Sequence, residues 1–151
     1  MKKKLFILLG ILIVLGIIFL ILWNMSSDYS KILQANWNFE IPKEAKYSQS
    51  YTKDSGSSFN GDGIRYHIFN YENEEYIENL FAWMSEEKAT IFSSSFSEAT
   101  TSWLKEIDVP VEYYPDYTKC SYWYQEQEDN SELIIYWNKD TKSLYIIESF
   151  M

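Results

Sequence analysis

Residues 133–137 read Leu-Ile-Ile-Tyr-Trp, an unbroken run of five large apolar side chains. Successive side chains of a strand point to opposite faces, so a strand with one face in water alternates apolar and polar residues. This run is apolar at every position, which predicts a strand that is buried on both faces. We therefore place it at the centre of a sheet.

The segments on either side predict a three-stranded antiparallel meander. Polar, turn-forming stretches at 128–130 and 139–142 separate the central run from its neighbours. In the strand that comes before, alternation places Cys120, Tyr122 and Tyr124 on one face and Trp123 on the other. The predicted strands are Lys119–Gln127, Glu132–Trp137 and Leu144–Phe150.

Two further strands are predicted upstream, at Tyr47–Lys53 and Ile64–Tyr71. The second alternates clearly, with one face formed by Ile64, Tyr66 and Ile68 and the other by Arg65, His67, Phe69 and Tyr71. Residues 54–63 between them are rich in Gly, Ser, Asn and Asp, the residue types that favour turns. Phe59, an apolar residue within this loop, is expected to be buried against the domain.

Two amphipathic helices are predicted between the second and third strands. The first begins after the cap residue Asn73 and runs to about Glu86, with apolar residues at helical spacing. The second runs from about Ser95 to Ile107, and Pro110 prevents its continuation. The predicted fold class is α+β, in the order ββααβββ, with both helices packed on one face of an antiparallel sheet.

An apolar segment, Leu5–Trp23, precedes this domain. Sixteen of its nineteen residues are Leu, Ile, Val or Phe, and a helix of this length spans roughly 28 Å, close to the thickness of a bilayer. The run is longer than that of a signal peptide and no A-x-A site follows, which favours an uncleaved anchor over a cleaved signal. Lys2, Lys3 and Lys4 place the N-terminus in the cytoplasm and the rest outside.

The predicted organisation is a basic N-terminal region at 1–4, an anchor at 5–23, a juxtamembrane segment at 24–45 and an extracytoplasmic domain at 46–151. Within the juxtamembrane segment, residues 24–39 predict a short amphipathic helix and Phe39–Ile41 a short edge strand. Cys120 is the only cysteine, so an intramolecular disulfide is excluded, and it is expected to be a buried apolar residue.

The charge of the exterior part bounds its partners. Residues 24–151 contain 10 Lys and Arg against 22 Asp and Glu, a formal charge of −12. Such an acidic chain is unsuited to nucleic acid and suits a basic protein partner. The aromatic content of 19% excludes a disordered chain.

The sequence offers few residues for catalysis. His67 is the sole histidine and lies in a strand, where it is expected to be exposed or to contact a partner, and no G-x-S-x-G motif occurs. No cofactor is expected. Asp54, Asn60 and Asp62 supply oxygen atoms of the kind that bind calcium, but the spacing favours a structural turn over a metal site.

Exposed aromatic residues are the best candidates for binding. The segment Tyr113–Tyr117 carries Tyr113, Tyr114 and Tyr117, and tyrosine provides contact area at a low cost in conformational entropy. We predict these three tyrosines as partner-binding residues, together with Arg65 and His67. The alternative is that each is a strand or core residue of a small domain.

The order of several short motifs supports one resemblance. Ile41-Pro-Lys43, Phe59-Asn-Gly-Asp-Gly63 with Tyr66, Tyr114-Pro-Asp116 and the closing Leu144-Tyr-Ile-Ile147 resemble uncharacterised small membrane-anchored or exported proteins of Gram-positive bacteria. The resemblance covers roughly Phe39 to Met151 and implies a single-pass protein on the outer face of the cytoplasmic membrane. It implies no catalytic residues.

These observations predict a membrane-tethered interaction module without catalysis, such as an immunity or inhibitor protein or an accessory subunit of an envelope complex. Two alternatives stay open. One is a carboxylate-based hydrolase of cell-wall glycans, which requires two acids lining a common pocket. The other is a cation-sensing domain that uses Asp54, Asn60 and Asp62.

Overall fold

A computed structural model describes residues 29–42, 46–56, 62–85 and 93–151, together with Val14 and Gly16, which are helical. The chain divides into two compact units, residues 1–41 and 42–151. The rest of the predicted anchor Leu5–Trp23, the loop residues Phe59 and Asn60 and the motif residue Lys43 lie outside the described residues. Within those described, no helix combines the length and the apolar character that crossing a membrane requires.

In the first unit, helix α1 spans Tyr29–Trp37, as the spacing of apolar residues predicts. It ends at Asn38, which adopts a φ of 53° and donates its N–H to the carbonyl of Gln34. The edge strand predicted at Phe39–Ile41 is wrong, because this segment has no strand pairing. The N–H of Ile41 instead donates to Oγ of Ser30, so a local side chain replaces a strand partner.

The described residues of the second unit contain an antiparallel sheet of six strands in the order β1-β2-β6-β5-β4-β3. Its last strand, β3, is only two residues long. The described strands are β1 Tyr47–Asp54, β2 Gly63–Tyr71, β3 Met84–Ser85, β4 Cys120–Glu126, β5 Glu132–Asn138 and β6 Ser143–Phe150. The α+β class is therefore confirmed, and so are the five predicted strands of this unit, but the predicted order ββααβββ is wrong in one place, because β3 lies between the two helices. Strand β5 lies inside the sheet between β4 and β6, as its two apolar faces predict.

One face of the sheet packs against helix α3, which spans Ser93–Glu106. We call it the helix face. Its buried cluster joins residues of four strands to the end of the helix: Ile64, Tyr66, Ile68, Cys120, Tyr122, Ile134, Tyr136, Ile147, Leu104, Ile107 and Val109. The helix ends where Asp108 takes a φ of 54° and the N–H of Val109 donates to the carbonyl of Leu104. The prediction for this helix and for buried Cys120 is confirmed.

The first predicted helix of the domain is much shorter than expected. Helix α2 spans only Glu75–Glu78, and its N-cap is Glu74 and not the predicted Asn73, whose side chain accepts the N–H of Glu75 one residue further out. Downstream, the indole N–H of Trp83 donates to the carbonyl of Ile77, and the ring of Phe81 stacks on Trp123 at 4.2 Å. These contacts replace further helical turns, and the chain continues into β3, which pairs with β4.

The expectation that two helices cover one face is therefore wrong. Phe81, which follows α2, stacks on Trp123, and Trp123 lies on the face of β4 opposite the helix face. We call this opposite face the histidine face, since it carries His67 with Arg65, Phe69 and Tyr71 on β2. It also buries apolar residues of the central strands: Leu133, Ile135, Trp137, Leu144 and Ile146.

Candidate partner-binding surface

The segment between α3 and β4 forms two short 3₁₀ turns, Val111–Tyr113 and Tyr117–Lys119. Pro110 stands before the first turn with extended backbone angles, which follow from its locked φ. The N–H of Tyr113 donates to the carbonyl of Pro110, and that of Lys119 to the carbonyl of Asp116. The predicted tyrosines thus lie on a segment held by its own backbone hydrogen bonds.

Tyr113 stands at the surface of the helix face. It is 37% exposed, and its ring stacks on Tyr51 of β1 with centroids 4.1 Å apart and planes 23° apart. Its carbonyl accepts the hydroxyl of buried Tyr66 at 2.5 Å, and Val111 beside it is 75% exposed. We call Tyr51, Val111 and Tyr113 the Tyr113 ridge. It is an exposed apolar surface that is held by contacts within the domain.

Tyr114 and Tyr117 belong mainly to the core. Both are partly buried against the cluster under α3. The hydroxyl of Tyr117 lies 3.0 Å from Oγ1 of Thr101, its ring packs edge-on against Tyr136, and burial raises its pKa to about 12. For these two tyrosines, the alternative that they support the core describes their contacts better than a role in binding.

Arg65 and His67 lie on the histidine face, so the fold separates them from the tyrosine segment. Nε of Arg65 is 3.3 Å from Oδ2 of Asp54, and its guanidinium lies 4.7 Å from the centre of the Phe150 ring. On β6, Glu148 pairs opposite Arg65 and is fully buried. Arg65 is thus placed between two carboxylate-bearing strands.

The expectation that His67 is exposed is wrong, because only 9% of it is accessible. Nδ1 lies 3.1 Å from Oγ1 of Thr52 and 3.5 Å from Nε2 of Gln49, both on the neighbouring strand. Burial lowers its pKa to about 4; Asp54 opposes this shift and Arg65 adds to it. The ring is therefore neutral at pH 7.

The weak cation candidates do not converge in the described part of the chain. Asp54 is paired with Arg65, and its Oδ1 accepts the N–H of Gly56 in a tight turn. Asp62 instead lines a pocket. No group of three or more His, Cys, Asp or Glu suited to a metal occurs among the described residues.

That pocket is a feature that the sequence did not predict. It has a volume of about 520 Å³ and lies where the end of α3 meets the start of β2 and the end of β6. Its lining includes two acids, two aromatic residues and two serines: Asp62, Glu106, Trp103, Phe150, Ser55 and Ser149. The spacing of Trp103 and Glu106, three residues apart on a helix, was the only local signal for it.

Ser55 and Gly63, which line this pocket, lie close together. Oγ of Ser55 accepts the N–H of Ile64 at 2.9 Å, and a Cβ at Gly63 would stand only 2.6 Å from that oxygen. Only glycine leaves room for this arrangement, since Ser55 cannot turn away without losing the bond. The Gly-Asp-Gly motif of the sequence thus has a structural role at its second glycine.

A second pair of acids was also missed. Glu126 and Glu132 are direct partners at the end of the β4–β5 pair. The hydroxyl of Tyr124 lies 3.0 Å from a carboxylate oxygen of Glu126 and 2.9 Å from one of Glu132, and burial followed by these hydrogen bonds raises its pKa. Two carboxylates therefore share one phenol at the edge of the helix face.

Comparisons with protein-family models, with curated proteins and with solved structures gave no match to this chain.

Proposed function

We propose that this protein is a membrane-tethered, extracytoplasmic interaction module that binds a basic protein without catalysing a reaction. An immunity or inhibitor protein against a cationic toxin, or an accessory subunit of an envelope complex, fits this role. In this proposal Leu5–Trp23 is the anchor, and residues 42–151 present the binding surface outside the membrane.

The Tyr113 ridge is the observation that carries the proposal. Binding energy concentrates in rigid aromatic residues at the centre of an interface, because they bring large apolar area and lose little freedom. Tyr113 is stacked on Tyr51 and anchored through its carbonyl by Tyr66, so its conformation is already restricted. Val111 extends the apolar area beside it.

Charge supports a basic partner. The formal charge of −12 on residues 24–151 attracts a cationic protein over a distance of about one Debye length, roughly 8 Å at physiological salt. Such attraction raises the association rate more than it raises the affinity. The ridge would then supply the short-range contacts, and the acidic surface would speed the encounter.

Site-specific photo-cross-linking in the native membrane tests the proposal. A benzophenone amino acid replaces Tyr113 in the full-length chain, and in a matched control it replaces Tyr76, an exposed tyrosine on α2. We expect one recurrent basic protein to be captured from position 113 and not from position 76. The same proteins at both positions, or none at either, would refute a partner site on the ridge.

A second candidate function is the carboxylate-based hydrolysis of cell-wall glycans. The observation that favours it is that Asp62 and Glu106 line one pocket together with Trp103, whose ring can stack on a sugar. If this is the function, the full-length protein releases reducing ends from purified cell wall, and Asp62→Asn or Glu106→Gln abolishes the release. The exposed pair Glu128→Gln with Asp140→Asn would leave it unchanged.

A further inference from the structure

We infer that the pocket beside the Gly-Asp-Gly motif receives a lysine or arginine side chain of the partner. This inference rests on the proposed function and adds a second contact point to the Tyr113 ridge. The pocket lies entirely within residues 55–151, where α3, β2 and β6 meet. The residues that line it come from separate segments of the chain, so no continuous sequence motif predicts the pocket.

Charge is the first argument for a cationic occupant. Asp62 and Glu106 both line the pocket; Asp62 directly precedes β2, and Glu106 is the last residue of α3. Among the described residues that line it there is no Lys, Arg or His. A cationic side chain in the pocket would therefore meet two carboxylates.

Aromatic residues supply the second argument. A guanidinium or ammonium group is attracted to the face of an indole, the best of the aromatic rings for this purpose. Trp103 lines the pocket and is half-buried, so its ring is fixed yet accessible. Phe150 already has the guanidinium of Arg65 near its ring, at 4.7 Å, which leaves Trp103 as the ring for an incoming cation.

Rigidity supplies the third argument. Two hydrogen bonds join the lining residues Ser55 and Ile64: the N–H of Ile64 donates to Oγ of Ser55, and the N–H of Ser55 donates to the carbonyl of Ile64. A pocket that is already formed loses less freedom on binding, which favours affinity. Its volume is within the range of small-ligand sites, so a long side chain and its flanking backbone fit.

The experiment measures binding of labelled peptides to the full-length chain in nanodiscs of phosphatidylcholine, which carry no net surface charge. The probe is a fluorescein-labelled peptide of alternating lysine and glycine, and the reference is the same peptide with acetylated lysines. Chitotetraose, an uncharged glycan fragment, competes in a parallel titration. Fluorescence anisotropy gives the dissociation constant at several salt concentrations.

Two double variants isolate the pocket from the overall charge. Asp62→Asn with Glu106→Gln removes both acids of the pocket, and Glu128→Gln with Asp140→Asn removes two exposed acids outside it. Both pairs change the net charge by the same amount. A third variant, Trp103→Phe, keeps an aromatic ring but weakens its attraction for cations.

We expect the pocket pair to weaken lysine-peptide binding by about fivefold or more, and the control pair by less than about twofold. Trp103→Phe weakens binding to a smaller extent, and acetylation abolishes it. Three results would overturn the inference. The two double variants could weaken binding equally, the lysine peptide could fail to bind, or chitotetraose could displace the bound lysine peptide. If the peptide fails while cross-linking at position 113 still captures a partner, the pocket assignment falls and the proposed function stands.

Discussion

The two faces of the sheet bury polar groups in different ways. On the helix face these groups are mostly neutral hydroxyls: Tyr66 donates to the carbonyl of Tyr113, and Tyr136 lies 3.0 Å from the hydroxyl of Thr100. On the histidine face they include two ionisable side chains, His67 and the fully buried Glu148, with the partly buried Arg65 beside them. The same sheet thus has a neutral side and a titratable side.

The faces also differ in how completely hydrogen bonds are satisfied. Two buried donors, the hydroxyl of Tyr71 and the indole N–H of Trp137, have no hydrogen-bond partner within the described parts of the chain. Both lie on the histidine face, where their rings meet edge-on. A buried donor without an acceptor costs free energy, so removing either of these two donors is expected to cost less stability than removing a buried donor that is hydrogen-bonded.

The largest expected effect concerns the apolar packing that both faces share. Ile134 and Ile135 are adjacent on β5, point to opposite faces and are completely buried. Replacing either with alanine removes three carbons and leaves a cavity, which costs about 2–5 kcal/mol. We expect Ile134→Ala and Ile135→Ala to destabilise equally within that range, as measured by urea unfolding of the full-length chain in detergent.

This pair of variants shows whether apolar side chains pack as tightly on the histidine face as on the helix face. A loss below about 1 kcal/mol for Ile135→Ala, alongside a full loss for Ile134→Ala, would contradict equal packing. Conservative Ile→Val changes at both positions serve as controls, since they leave smaller cavities. If packing determines the loss of stability, each Ile→Ala change costs more than the Ile→Val change at the same position. If β5 tolerates no substitution, the two changes cost about the same.

The next effect is the dependence of stability on pH that His67 creates. Its pKa is about 4 in the folded protein and 6.5 in an unfolded chain, so between these values the unfolded state binds more protons. The stabilisation is complete above pH 6.5 and is lost as the pH falls towards 4. The total loss is about 3 kcal/mol.

His67→Gln isolates this term, because glutamine retains a polar group facing Thr52 and does not titrate. Many carboxylates titrate over the same range, so the quantity to measure is the difference between the two proteins at each pH. We expect the variant to lose less stability than the parent between pH 7 and pH 4. Parallel curves would show that His67 does not titrate as its burial requires.

A smaller effect compares the two buried tyrosines of β2. Tyr66→Phe leaves the carbonyl of Tyr113 without this donor and is expected to cost about 1–2 kcal/mol. Tyr71→Phe removes a hydroxyl that has no partner in the described region, so stability should stay the same or rise. Burial raises the pKa of both hydroxyls, so neither effect should change between pH 5 and pH 8.

Thermal unfolding of the two variants under identical conditions measures the contrast. A cost at Tyr71 equal to that at Tyr66 would mean that the hydroxyl of Tyr71 makes a hydrogen bond in solution. The double variant tests independence: the two effects should add, because the side chains lie on opposite faces. Cross-linking from position 113 should also weaken in Tyr66→Phe if the fixed carbonyl supports the ridge.

The sequence predicts the sheet well because each strand carries its own signal. Alternation along Ile64–Tyr71 assigns both faces correctly, and the apolar run at 133–137 identifies an interior strand. The predicted length of helix α2 is wrong because the contacts that end the helix come from residues distant in sequence. The spacing of Ile77, Leu80, Phe81 and Met84 suits a helix, yet Phe81 is held by Trp123, more than forty residues away.

The candidate sites show the same limit. Composition and turn residues mark Tyr113, Tyr114 and Tyr117 alike, but of the three only Tyr113 is exposed, and its stacking partner, Tyr51, comes from the first strand. His67 is misjudged because one strand cannot reveal what its neighbours place against it, here Thr52 and Gln49. The pocket combines residues from four separate segments, so no motif along the chain marks it.

The smallest expected effect extends the comparison from buried charges to exposed ones. Nζ of Lys139 lies 2.5 Å from Glu78 and 3.7 Å from Glu74, and the bond to Glu78 followed by the charge of Glu74 raises the pKa of Lys139. All three are exposed to water, which screens the attraction and competes for each charge. Lys139→Gln should therefore leave the thermal midpoint unchanged at physiological salt and lower it slightly only at low salt.

Lys119→Gln, which removes a comparable pair with Asp116, is the matched control. A loss at Lys139 as large as that of Tyr66→Phe would mean that this ion pair holds α2 in place.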